Sequence, residues 1–165
     1  MIEKGMYYAV DNFYSIIKEL GGVWGDTKHR PLLCLIESQE QNGLYWAIPM
    51  GLLKHRDKNA SDRIYEFISM PDNDLRSCYY HIGRTTNKSI FFISDVIPII
   101  DKYIDSPHLG FDNSHFILKN KPLILELERK LNRILAFENT KNNHFRQHIT
   151  DIKKYLINEL QENKK

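Results

Sequence analysis

Lys54, His55 and Arg56 stand side by side, separated only by Gly51, Leu52 and Leu53 from an apolar, aromatic stretch, residues 44–50, that reads LYWAIPM. Together they offer a fixed charge, an imidazole that titrates near neutrality and a planar five-donor guanidinium. Two further basic clusters occur: Lys28-His29-Arg30, and Arg84 with Lys88, the latter beside Ser89. A set of Lys, His and Arg side chains suits phosphodiester chemistry on RNA. The 2′-hydroxyl there attacks its own neighbouring phosphate, so the protein need not supply a nucleophile. It needs a base, positive donors for the pentacovalent phosphate, and an acid or charge for the departing 5′-oxygen. On this reading His55 is acid or base, Lys54 and Arg56 stabilise phosphate charge, and Lys88 and Ser89 contribute. Lys28, His29, Arg30, His81 and Arg84 face the RNA, and Tyr45 and Trp46 offer stacking faces to unpaired bases. The competing reading of the same residues is structural: aromatics alternating into a core, and charges solvated on loops.

Other chemistries find less support. His144 and His148 have the four-residue spacing of metal ligands on a helix. Between them lie Phe145, Arg146 and Gln147 rather than the glutamate of a hydrolytic zinc helix, and no third ligand is evident, so no metal is expected. Gly21, Gly22 and Gly25 do not form a phosphate-binding fingerprint, and Asp72 and Asp74 read as turn formers after Pro71. Two cysteines, Cys34 and Cys78, are too few for a disulfide scaffold or a zinc site; both fall in strand-like patterns and read as buried thiols. No cofactor is expected.

The elements that must position these groups can be read from the hydrophobic period. Residues 6–10 form a strand, and Asp11 caps a helix whose Phe13, Ile16, Ile17 and Leu20 share a face, ended by Gly21-Gly22. The run LLCLIE, 32–37, is a strand buried on both faces, tied through a polar turn to the strand at 44–50, where Pro49 and Gly51 should stop regular pairing. Ile64, Phe67 and Ile68 mark a helix ended by Pro71. Residues 77–83 and 89–94 pair around a basic turn, 95–104 is an edge strand or a passage to helix, and 106–120 is irregular. Two helices close the chain. The first is capped by Asn120, with Ile124, Leu127, Leu131 and Ile134 on one face. The second, 144–160, carries Phe145, Ile149, Ile152 and Leu156 opposite Arg146, Lys153 and Lys154.

This order predicts an α+β fold: a strongly curved antiparallel sheet, a partial barrel, with peripheral helices and two long C-terminal helices. The hairpins would gather the basic clusters on one rim of the sheet. At 165 residues, 42% apolar and 27% charged, the chain reads as one domain, 1–165; its net charge of +2 does not by itself declare a nucleic-acid binder. No apolar run approaches the roughly 18 residues of a membrane span, and the N-terminus, MIEKGMYY, has no signal-peptide core, so a soluble cytoplasmic protein is expected.

The segments YWAIPMG with its basic cluster, CYYHIG, KSIFFISDVIPIIDKYI, KNKPLILELERKLNRILA and FRQHITDIKKYL resemble the toxins of type III toxin–antitoxin systems. These are the ToxN/AbiQ-like endoribonucleases, and the resemblance is nearest to the TenpN/CptN branch; it runs from about Tyr7 to Leu160. It implies a curved sheet similar to that of the Kid/MazF toxins, and metal-independent RNA cleavage leaving 2′,3′-cyclic phosphate and 5′-hydroxyl ends. It also implies a small antitoxin RNA of pseudoknot repeats, trimmed from a precursor and then inhibitory, and cyclic toxin–RNA assemblies. Cellular mRNA would be the substrate, growth arrest and phage defence the role, with neither membrane nor DNA as partner. ToxN-like members carry Thr-Ser-x-Lys after the Pro-apolar pair; here the positions read Gly51, Leu52, Leu53 and Lys54. Lys54 carries over, and the hydroxyls have no counterpart. A non-catalytic RNA-binding module, or a domain that binds a protein through its terminal helices, therefore stays open.

Overall fold

Apolar and β-branched residues from Leu44 to Leu52 form the longest strand, β3, and most of the sheet is arranged around it. The computed structural model describes residues 1–24 and 30–165. The other strands are β1 (Gly5–Ala9), β2 (Leu32–Glu37), β4 (Tyr80–Arg84), β5 (Lys88–Phe92), β6 (Ile97–Ile100) and β7 (Ile104–Pro107). They make one open antiparallel sheet in the order β4-β5-β3-β2-β1-β7, with β6 also paired to β3. Four helices accompany it: α1 (Asp11–Glu19), α2 (Lys58–Ile68), α3 (Lys121–Thr140) and α4 (Ile149–Glu162). The expected α+β class, the antiparallel sheet and the two C-terminal helices are all present.

The expected break at Pro49 does not occur. β3 runs through Pro49 and Gly51 because the proline nitrogen falls where no ladder bond is due. Met50 N–H donates to Pro31 O on the β2 side, so alternation turns the nitrogen of Pro49 to the opposite edge. Along that edge β6 pairs with residues 44–47 and β5 with residues 50–52, leaving an interval at Pro49. β2 stays alongside throughout, with Leu32 opposite Pro49 and Glu37 opposite Tyr45.

Burial follows the periodicity. Phe13, Ile16 and Ile17 of α1, Leu123, Leu127, Leu131 and Ile134 of α3, and Ile149, Ile152 and Leu156 of α4 join the strand side chains in the main core. A smaller cluster, Ile64 of α2 with Ile90 and Phe92, lies at the β4–β5 end. Gly21 takes φ +95° to end α1, with Gly22 N–H reaching Ile17 O. The Asp57 and Asn120 side chains cap α2 and α3. Asp11, expected as a cap, lies inside the first turn of α1, which starts without a side-chain cap. Among the described residues no helix is long and apolar enough to cross a membrane.

Three boundaries differ from the sequence reading. Residues 75–78 form a 3₁₀ turn begun by Asp74, so Cys78 is buried in that turn rather than in a strand. β7 runs from the end of the expected edge strand, 95–104, into the stretch expected to be irregular, 106–120; its Asp105, Ser106 and Pro107 carry no strand period, and it forms because β1 offers an edge. Residues 144–148 are a turn, not the start of α4. Asn143 caps the helix from outside by accepting the Asp151 N–H, and Glu138, buried, accepts from Asn143 N–H at 2.6 Å and from the Thr150 hydroxyl at 2.5 Å. His144 and His148 are thus not one helical turn apart on a helix face. Leu127 is fully buried at the centre of the α3 face. Leu127→Ala is expected to cost about 2–5 kcal/mol of stability, read as a lowered denaturant midpoint at unchanged slope.

Candidate functional site

Beyond Pro49, β3 delivers Gly51 and Leu52 beside β5, then a 3₁₀ turn, Leu53–His55, and Arg56 before α2 begins. The turn leaves Lys54 and His55 exposed and brings Arg56 back towards the strand. Arg56 Cζ lies 4.9 Å and Arg30 Cζ 5.2 Å from the centroid of the Phe92 ring, which is cation–π range. Gly51 makes room for Arg56 and the ring: a Cβ there would meet Arg56 Nη2 at 3.1 Å and Phe92 Cε2 at 3.2 Å, with Arg30 Nη1 at an ordinary contact distance of 3.5 Å. Two guanidinium groups are thus gathered at one aromatic ring, a local concentration of positive charge.

A cleft of about 430 Å³ opens here. Its walls include Arg30, His55, Arg56, Thr85, Ser89 and His108. The tip of the β4–β5 hairpin supplies hydroxyls: Thr85 Oγ1 and Ser89 Oγ are 3.0 Å apart, and Ser89 Oγ donates to Asn87 O at 3.1 Å. Ser89 stands directly opposite Leu52 across the β3–β5 ladder. At the same hairpin Arg84 and Lys88 are cross-strand partners, both exposed. Like charges directly opposite destabilise a ladder, so this pair does not contribute to holding the hairpin together. A smaller cavity of about 120 Å³ adjoins the cleft through Arg30 and Arg56 and reaches Asp95 and Arg146. There Arg146 donates to both carboxylate oxygens of Asp95 at 2.6 Å, and this buried carboxylate holds the guanidinium charged. Arg146, expected on the outer side of α4, instead precedes the helix and points at the sheet.

The structure therefore brings Arg30, His55, Arg56 and Ser89 together, with Arg84 and Lys88 on the adjoining hairpin. Lys54 is exposed and not part of the cleft wall. Lys28 and His29 lie outside the described residues. Tyr45 and Trp46 are separated from the cleft. Gly51 is five steps of strand beyond Trp46, about 17 Å at 3.3–3.4 Å per residue, and Trp46 is buried in the core. Their expected role as stacking faces at the basic rim is corrected on that ground.

His81 is likewise turned away. It faces α3, where burial and the neighbouring Lys130 push its pKa down to about 4, and its Nδ1 has no partner among the described residues. Lys130, itself buried, donates to Tyr80 O at 2.9 Å. Thr85 and His108 were missed by the sequence reading. Thr85 sits in a turn whose composition speaks only of charge, and His108 lies in a stretch without a period.

No family model matches this chain, and no curated protein does. Among solved structures it is similar to AbiQ, a lactococcal anti-phage endoribonuclease belonging to the type III toxin–antitoxin system. The TM-score is 0.51 at 11% identity, over 85% of this chain and 82% of that one. At that identity the likeness establishes the fold.

A histidine whose folded pKa lies below its ordinary 6.5 contributes stability above that value and loses it as pH falls towards about 4. In His81→Leu, which cannot take up the proton, the loss of Tm between pH 6.5 and 4 is expected to be smaller than in the wild type. An unchanged slope would mean that His81 is not held neutral by the fold.

Proposed function

We propose that this protein is a metal-independent endoribonuclease, the toxin of a type III toxin–antitoxin system of the ToxN/AbiQ-like class and its TenpN/CptN branch. It acts on cellular mRNA in the cytoplasm, arresting growth in defence against phage. A small antitoxin RNA of pseudoknot repeats, trimmed by the protein from a precursor, inhibits it within a cyclic toxin–RNA assembly. The observation that carries this reading is the cleft where Arg30, Arg56 and His55 meet the hydroxyls of Thr85 and Ser89 at the end of β3. The fold likeness to AbiQ over most of both chains supports it, as do the sequence motifs.

In this mechanism the scissile phosphate sits against the Arg30–Arg56 pair, whose fork-like donors suit its equatorial oxygens. The 2′-hydroxyl attacks, the P–O5′ bond breaks, and His55 exchanges a proton with the reacting oxygens. Lys54 and Lys88 attract the strand from the rim. The hydroxyls that the ToxN-like motif carries on β3 are replaced here from across the ladder. Cβ atoms of cross-strand partners are about 4.5–5.5 Å apart, so Ser89, opposite Leu52, and Thr85, bonded to it, bring hydroxyls to nearly the same place.

The purified protein is expected to cleave cellular RNA in excess EDTA and to leave 2′,3′-cyclic phosphate and 5′-hydroxyl ends. Arg56→Ala, folded by circular dichroism, is expected to lower kcat by about 10²–10³-fold, the usual loss for one transition-state charge donor. Tight, salt-sensitive binding without cleavage would instead make the protein an RNA-binding module, with the loss of hydroxyls at Gly51 and Leu52 as the cause.

A further inference from the structure

The cleft holds two imidazoles, His55 and His108, and among the described residues no carboxylate lines it. The two histidines are set differently. His55 is exposed at the end of the 3₁₀ turn. His108 is half-buried just after β7 and fixed on three sides. Its N–H donates to Met6 O at 2.9 Å, its carbonyl accepts from Phe116 N–H at 2.9 Å, and its Nδ1 lies 2.7 Å from the Tyr8 hydroxyl of β1. With Nδ1 so engaged, Nε2 is the ring nitrogen that has no hydrogen-bond partner among the described residues.

We propose that His108 is the general base of the cleft, and that Tyr8 is a positioning residue that fixes its tautomer. The proposal rests on the endoribonuclease reading above. Nδ1–H donates to Tyr8 Oη, which leaves the Nε2 lone pair to take the proton of the substrate 2′-hydroxyl. The 2′-oxygen then bonds to phosphorus, and the P–O5′ bond breaks with its electron pair on O5′. His55, as imidazolium, protonates that oxygen. The products are a 2′,3′-cyclic phosphate and a 5′-hydroxyl, and the two histidines return to their starting states by proton exchange with water.

The surroundings agree with this division of labour. Burial, helped by the neighbouring His115, lowers the pKa of His108, so the ring is neutral at physiological pH as a base must be. The groups around it are Tyr8 from β1, His115 from the loop before α3, and Arg30, His55 and Arg56 in the cleft wall. Apart from the Tyr8 hydroxyl these are cationic or can become so, and none favours the imidazolium. Burial also raises the pKa of the Tyr8 phenol, which therefore stays uncharged and serves as a neutral acceptor.

The test uses an oligoribonucleotide and its analogue in which sulfur replaces the bridging 5′-oxygen at the cleavage site, a leaving group that needs no acid. His55→Ala is expected to be impaired on the normal substrate and restored on the sulfur analogue. His108→Gln is expected to fall by about 10²–10⁴-fold in kcat on both, with RNA affinity retained, and His108→Gly to regain activity with added imidazole. Tyr8→Phe is expected to leave KM unchanged, lower kcat, and move the acid limb of the kcat profile to lower pH, because the imidazolium loses an acceptor. Restoration of His108→Gln on the sulfur analogue, or wild-type kcat in that variant, would overturn the proposal while cleavage by the parent protein left the endoribonuclease reading standing. A parent protein that binds RNA but cuts neither substrate would overturn both.

Discussion

The cleft exists because β3 changes partners along one edge. β5 and β6 follow each other in the chain, and both run antiparallel to β3, so they amount to one neighbouring strand interrupted by the 3₁₀ turn Ile93–Asp95. The interruption lies opposite Pro49, whose nitrogen can make no ladder bond, so the sheet tolerates there a gap that would elsewhere strand a buried N–H. Opening the ladder at this point exposes the Phe92 ring to two arginines and turns the Asp95 carboxylate towards Arg146. A strand that simply ended at Pro49 would have produced an exposed loop. A strand that continues produces a walled cleft with cations at its foot.

Electrostatics then sets what such a cleft favours. Arg30 and Arg56 meet at one ring, while Arg84 and Lys88 oppose each other on the neighbouring hairpin. Both arrangements concentrate positive potential on this side of the molecule. Asp95, the acidic group of the adjoining cavity, is committed to Arg146 by two short hydrogen bonds and does not neutralise the cleft. The modest net charge of +2 conceals this local concentration.

The likeness to AbiQ at 11% identity concerns the path of the backbone and leaves site chemistry free to move between strands. Under the proposed function, the contrast between Gly51-Leu52 and the Thr-Ser of ToxN-like toxins illustrates how. An antiparallel ladder places β5 residues beside β3 residues at fixed spacing, so a hydroxyl lost from one strand can be supplied by its partner without altering the fold. Gly51 then acquires a purpose of its own, since a Cβ at that position would press on Arg56 and the Phe92 ring.

Periodicity in the sequence was enough to give the fold class, the helix faces and the central hairpin. Leu127, Leu131 and Ile134, for example, are buried on one stripe of α3 as expected, although Leu123 rather than Ile124 completes it, and the run LLCLIE has both faces of β2 covered. Adjacent residues such as His55 and Arg56 were legible as chemistry for the same reason: their relation is local. The remainder depended on distant neighbours. Whether Pro49 ended a strand depended on the position of β5 and β6. Phe145 continued the apolar period of α4 although it belongs to a turn, because burial alone does not distinguish a helix from the segment packed before it. Tyr45 and Trp46 are near Lys54 in sequence, yet an extended strand carries them to the other end of the sheet. His108 and Tyr8 are 100 residues apart and meet only because β7 pairs with β1, a contact of long sequence separation that leaves no trace in local pattern.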